Sequence, residues 1–150
     1  MNNEILDIME NLKTDQSVIS KLNIEELLQE QNIDINFFEN LLKTNVDIID
    51  DLEFDAETSA KMLEKLASYK YMDYLSDFKI GRYIRWINEK KELAYGGILM
   101  DITFKDSGTN LLCKNARNRF FNIKYDNNIF FQRLNDEEQF ILNMYEQVEN

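Results

Sequence analysis

Eighty residues pass before the first glycine of this chain, Gly81, and no proline occurs among its 150 residues. Glycine supplies the positive φ that tight turns and bulges need, and proline interrupts helices. The long opening segment lacks both and is free to be helical. The four glycines, Gly81, Gly96, Gly97 and Gly108, share one window, where hairpins are expected. Charge divides the chain at the same place. Residues 1–78 carry 18 acidic and 6 basic side chains, residues 79–133 carry 5 and 11, and residues 134–150 carry 5 and none. The expected organisation is an acidic helical region, 1–78, followed by a basic small β-barrel with a C-terminal helix, 79–150.

Within the first region Ile5, Ile8, Met9 and Leu12 keep one helix face apolar, and Asn23 with Glu26 has the spacing of a capping box. Asp34 is expected to cap a helix burying Phe37, Phe38, Leu41 and Leu42. Asp55 is expected to cap the longest helix, with Leu63, Leu66 and Ala67 on one side and Tyr71, Tyr74 and Leu75 farther along. Asn23, Asp34 and Asn45 recur at a spacing of eleven, which reads either as independent caps or as a degenerate helical repeat.

The basic region reads as five short strands. One spans Ile80 to Ile87. Ile98, Met100, Ile102 and Phe104 alternate with Leu99, Asp101 and Thr103. Lys105 to Gly108 form a turn leading into Leu111, Leu112 and Cys113. Phe121, Ile123 and Tyr125 alternate with Phe120, Asn122 and Lys124, and Asp126-Asn127-Asn128 turn the chain into Ile129, Phe130 and Phe131. Five short antiparallel strands close most economically as an SH3-like or OB-like barrel, so the expected class is α+β. Phe140, Ile141, Met144 and Tyr145 form the stripe of a final helix able to cover that barrel.

Composition excludes several chemistries. The chain has no histidine, which removes Ser-His and Cys-His nucleophile pairs and imidazole metal ligands. One cysteine, Cys113, supports neither an internal disulfide framework nor a four-cysteine zinc site. Gly96-Gly97 lacks the spacing of a phosphate-binding loop and reads as a bend or bulge. The acidic run Asp47 to Glu57 has no glycine for a calcium loop and reads as a solvated face. Asp77 with Glu89, Lys90 and Lys91 offers the elements of a metal-dependent nuclease, a pattern also read as a polar turn. No catalytic residue, metal or cofactor is expected. No apolar run approaches the roughly 20 residues that cross a bilayer. The acidic start lacks the basic segment of a signal peptide, so an intracellular protein without a membrane role is expected.

The functional signal is a mixture of cations and aromatics. Arg82 and Arg85 flank Tyr83 and Ile84 ahead of Trp86, and Lys114, Arg117 and Arg119 precede Phe120, with Lys124 beyond. Single strands are held by cationic grooves with aromatic platforms, so these residues form the candidate nucleic-acid site. Ile84 and Trp86 alternate with Tyr83, Arg85 and Ile87, which fits a strand covered on both faces, with Trp86 in the core. Arg82 and Arg85 would equally suit pairing with the acidic helices.

The segments Gly81–Ile87, Gly96–Ile102, Leu111–Phe121 and Phe130–Leu142 (GRYIRWI, GGILMDI, LLCKNARNRFF and FFQRLNDEEQFIL) resemble the core of small uncharacterised proteins of nucleocytoplasmic large DNA viruses. The resemblance covers the last half of the chain. It implies a viral protein of the host cytoplasm or virion and brings no catalytic residues. The leading expectation is a non-enzymatic adaptor with a protein partner. The alternative is a weak binder of single-stranded RNA or DNA, and a homodimer pairing acidic helices with a basic barrel is a further arrangement.

Overall fold

The computed structural model of the chain describes residues 35–149, so the caps expected at Asn23 and Asp34 and the stripe from Ile5 to Leu12 lie outside the described residues. Among the described residues there are three α-helices, α1 (Ile35–Asp51), α2 (Ala56–Lys65) and α3 (Asp136–Glu149). Six strands accompany them: β1 (Tyr69–Tyr71), β2 (Tyr83–Ile87), β3 (Gly97–Lys105), β4 (Gly108–Lys114), β5 (Phe120–Lys124) and β6 (Ile129–Arg133). The class is α+β. The strands form one antiparallel sheet in the order β1-β6-β2-β3-β4-β5. This corrects the expected five-stranded closed barrel: there are six strands, and among the described residues β1 and β5 remain the two edges.

The extra strand comes from a helix that stops early. Asp55 caps α2 as expected, its Oδ1 accepting the Thr58 N–H at 2.7 Å, and that bond holds its carboxyl below the usual range. The helix ends at Lys65, however, and Tyr69–Tyr71 pairs with β6, Tyr69 opposite Arg133 and Tyr71 opposite Phe131. Tyr74 and Leu75 fall on a short 3₁₀ turn, Leu75–Asp77. Asn45 shows why the helix–strand junction sits there. It lies inside α1 and is buried, and its Nδ2 donates to the carbonyls of Leu66 at 3.5 Å and Tyr69 at 3.0 Å. Asn45 is therefore a tertiary clamp and not the cap that its spacing suggested. Asn45→Ala is expected to destabilise the protein by about 1–3 kcal/mol, read by urea unfolding, because two carbonyls lose their donor. A cost no larger than that of exposed Val46→Ala would sink the clamp.

The chain forms two compact units, one spanning Leu42–Arg133 and the other including the described residues 35–41 and 134–149. In the second, Phe38 and Leu41 are buried, whereas Phe37, expected inside, is exposed. Asn135 and Glu138 cap α3 reciprocally, the Glu138 N–H donating to Asn135 Oδ1 at 2.6 Å and the Asn135 N–H to Glu138 Oε1 at 3.0 Å. Ile141, Leu142, Met144 and Tyr145 are buried.

The first unit has hydrophobic cores on both faces of its sheet. Ile84, Trp86, Leu99, Leu111, Cys113 and Phe130 gather on one face with Met72 and Phe78. Ile87 and Phe131 gather on the other with Ile49, Met62 and Leu66 from the helices and their ends. The two-sided burial read from β2 is thus present. A register shift between Leu99 and Asp101 corrects the expected alternation of β3. With Met100 as the extra residue, Leu99 and Ile102 both face the Trp86 core, while Ile98 turns away.

Candidate functional site

The β4–β5 hairpin carries most of the candidate residues, and its loop has a specific build. Asn115 Oδ1 accepts the N–H groups of Arg117 at 2.9 Å and Arg119 at 3.1 Å. The Asn118 N–H donates to the Asn115 carbonyl at 3.0 Å, the Asn115 N–H donates to the Arg119 carbonyl at 2.9 Å, and Asn118 takes φ 60°. One asparagine therefore fixes the backbone of both arginines and leaves their side chains to solvent. The loop after β2 repeats this construction. Asn88 Oδ1 accepts from Lys90 and Glu92, both at 3.0 Å, and Lys91 occupies the left-handed position with φ 63°. Asparagine suits that conformation better than lysine. Lys91 has a compensating contact: its Nζ donates to the Leu52 carbonyl at 2.9 Å, placing a cation where α1 ends without a basic residue of its own.

On β5 Phe120, Asn122 and Lys124 are exposed, and Phe121 and Ile123 turn to the core. Register places Phe120 beside Lys114 and Lys124 beside Asn110. Lys114, Arg117, Arg119 and Phe120 thus come together at one end of the hairpin. Lys124 sits at the other end of β5, roughly 14 Å along the strand. Among the described residues the side-chain charges of Lys114, Arg117, Arg119 and Lys124 have no hydrogen-bond or ion-pair partner. Phe120 is 58% exposed.

The two other predicted residues lie at β2 and do not join that loop. Arg85 is half-buried, and its Nε donates to the Ala94 carbonyl at 2.9 Å. Arg82 is half-buried just ahead of β2, its carbonyl accepting the Leu99 N–H at 2.8 Å. Trp86, at 6% exposure, is a core residue flanked by Phe121 and Phe130. Two further residues of the same sheet, one of them on the stretch already noted, belong beside these. Tyr83, half-buried, donates its hydroxyl to the Tyr95 carbonyl at 3.0 Å, and Arg133 is exposed at the end of β6. Only the pairing of distant strands relates them to the hairpin.

The chemistry available elsewhere is limited. Glu89, Lys90, Asn88 and Glu92 line an open cleft of about 600 Å³ with Lys124 and the turn Asp126–Asn128. Its walls carry both charge signs. Among the described residues no three Asp, Glu or Cys side chains converge to hold a metal ion. Cys113 is fully buried, and burial pushes its thiol up to about 11, away from a reactive thiolate. No helix among the described residues is long and apolar enough to cross a membrane. Comparison with known proteins gives no match to a family model, to a curated protein or to a solved structure.

Proposed function

We propose that this protein is a non-enzymatic binder of single-stranded nucleic acid, acting through the β4–β5 hairpin. The observation that carries the reading is the group of exposed Arg117, Arg119 and Phe120 with half-buried Lys114, cations without partners among the described residues beside an uncovered ring. Such a mixture binds phosphates by charge and bases by stacking. The chain's net charge of -11 does not oppose it, because the segment that bears the hairpin is itself basic, with 11 cations against 5 acids over residues 79–133. The strand order β6-β2-β3-β4-β5, a meander whose returning strand pairs with its first, supports the SH3-like reading, with β1 added at the edge. A viral protein of the host cytoplasm or virion remains the setting implied by the resemblance.

A second reading, the protein-binding adaptor, is favoured by one observation: β5 is an edge strand whose outer side has no partner among the described residues. An extended segment of a partner protein would add there as a further strand.

Titration of labelled single-stranded RNA and DNA at several salt concentrations separates the two. For the nucleic-acid reading, binding weakens as salt rises. Arg117→Ala with Arg119→Ala lowers the slope of log K against log salt by roughly 1.4, about 0.7 for each lost phosphate contact. Unchanged binding in that double variant would remove the hairpin from the interface. Absence of binding at low salt would leave the adaptor reading.

A further inference from the structure

We infer that the nucleic-acid surface is a row of aromatic and cationic side chains, with Ile98 among them, that crosses all six strands where the two staggered halves of the sheet overlap, from Tyr69 through Arg133, Tyr83, Ile98 and Lys114 to Phe120. The inference rests on the nucleic-acid reading above and extends it from one hairpin to a track.

Register supplies the geometry. Tyr69 is opposite Arg133, Tyr83 opposite Ile98, Ile98 opposite Lys114, and Lys114 opposite Phe120. The β2–β6 ladder pairs Ile84 with Gln132, so one further step sets Tyr83 against Arg133. Residues opposite each other in a sheet project from the same face. The face is the one away from Trp86, because Ile84, Leu99, Cys113 and Phe121 belong to the core on the other side; farther along β2 and β6 the same face carries the core of Ile49, Met62 and Leu66, against which Tyr69 packs. Electrostatics agrees independently. The groups whose charge acts on the Tyr69 phenol are Arg85, Arg133 and Tyr83, although burial dominates and raises its pKa. Arg85 follows on the same face, opposite Phe131.

The row contains two cations, three aromatics, one isoleucine and no acidic side chain, and Arg117 and Arg119 stand on the loop that joins Lys114 to Phe120. That composition selects the occupant. A surface that alternates positive charge with rings matches a chain whose phosphates alternate with stackable bases, as in single-stranded RNA or DNA. An acidic peptide would use the cations and leave the rings idle. Five inter-strand steps span about 24 Å, a length suited to several nucleotides laid across the strands. The ladder ends with exposed groups at Arg133 and Phe120 and half-buried ones at Tyr69, Tyr83, Ile98 and Lys114. Tyr83 is held by its bond to the Tyr95 carbonyl, which fixes its ring before any ligand arrives.

Arg133 is the decisive residue because it lies three strands away from the hairpin. The full chain is titrated with labelled oligo-dT and oligo-U of 4 and 12 nucleotides at several salt concentrations. The comparison uses wild type, Arg133→Ala, Arg133→Lys and the Arg117→Ala, Arg119→Ala double variant. The expected result is tighter binding of the longer probe and a salt slope reduced by about 0.7 in Arg133→Ala. Arg133→Lys restores that slope because it keeps the charge. Arg133→Gln, which also removes the charge but keeps a polar side chain, repeats the measurement should Arg133→Ala fold poorly. If the hairpin double variant weakens binding and neither Arg133→Ala nor Arg133→Gln does, the track is wrong and the hairpin reading stands. If polyglutamate displaces the probe as effectively as unlabelled oligo-dT, the surface recognises acidic protein and the track is overturned. No binding by wild type at low salt overturns both.

Discussion

Gly96→Ala is expected to lower stability by at least about 3 kcal/mol, combining a left-handed backbone with a direct clash. Gly96 has φ +90°, and a Cβ there would be driven into the Ile84 carbonyl oxygen, well inside contact distance. That oxygen belongs to the backbone of β2 and cannot swing aside as a side chain would. Gly81 is the internal control, with nearly the same φ, +91°, and nothing within 4 Å of its missing Cβ. Gly81→Ala is expected to cost only the backbone term, about 1 kcal/mol. Thermal unfolding of the two variants should therefore differ by about 5–10 °C. Equal losses would mean that backbone conformation alone matters and that the close crossing of β2 and the start of β3 is relaxed in solution. The segment Gly96-Gly97 thus serves close approach of two backbones. Gly97 repeats the demand, with the Lys114 carbonyl oxygen 2.8 Å from where its Cβ would sit.

Phe130→Ala is the second large effect, expected at about 3–5 kcal/mol by urea unfolding. Phe130 is the hub of an aromatic cluster: its ring lies 5.7 Å from Phe78, 5.9 Å from Trp86 and 5.8 Å from Tyr125, stacked on the last at an interplanar angle of 3°. Truncation leaves a cavity and removes three ring contacts together. Phe120→Ala, the same chemical change ten residues earlier, is expected within about 0.5 kcal/mol of wild type because its ring stands in water. The pair separates stability from binding. Phe120→Ala should weaken oligonucleotide affinity in a protein that folds normally. Comparable unfolding costs for the two would place Phe120 in the core and deny it to a ligand.

Local signals in the sequence were read correctly where the structure depends on local physics. The Asp55 cap, the turn at Asp126–Asn128 with Asn127 at φ 69°, and the helix carrying Phe140, Ile141, Met144 and Tyr145 need only neighbouring residues. The misreadings occur where a distant partner decides. Tyr69–Tyr71 is a strand because β6 is there to pair with it, and the helical spacing of Leu63, Leu66, Ala67, Tyr71, Tyr74 and Leu75 gives no hint of a break. The bulge at Met100 was concealed because β3 offers apolar side chains in both parities: Ile98 and Ile102 on one count, Leu99 on the other. For the site, the hairpin cations and Phe120 were legible as a cluster in sequence. Arg85 stands apart from that cluster, its Nε donating to the Ala94 carbonyl beyond an intervening loop. Tyr83 and Arg133 could not have been joined to Phe120 without the register of five strands.

The matched loops Asn88–Glu92 and Asn115–Arg119 behave as interchangeable parts. Both hang five residues on one asparagine side chain with the same donors and the same left-handed fourth position. Their sequences, NEKKE and NARNR, carry different charge on a common scaffold. The outward side chains are therefore decoupled from the frame that presents them, and transplanting one sequence into the other position relocates positive charge between the loop after β2 and the loop after β4 without a new backbone. Only the tether from Lys91 to the Leu52 carbonyl would be left behind in the exchange. A fold with such sockets can change what it attracts by substitution at a few solvent positions while its core stays as it is.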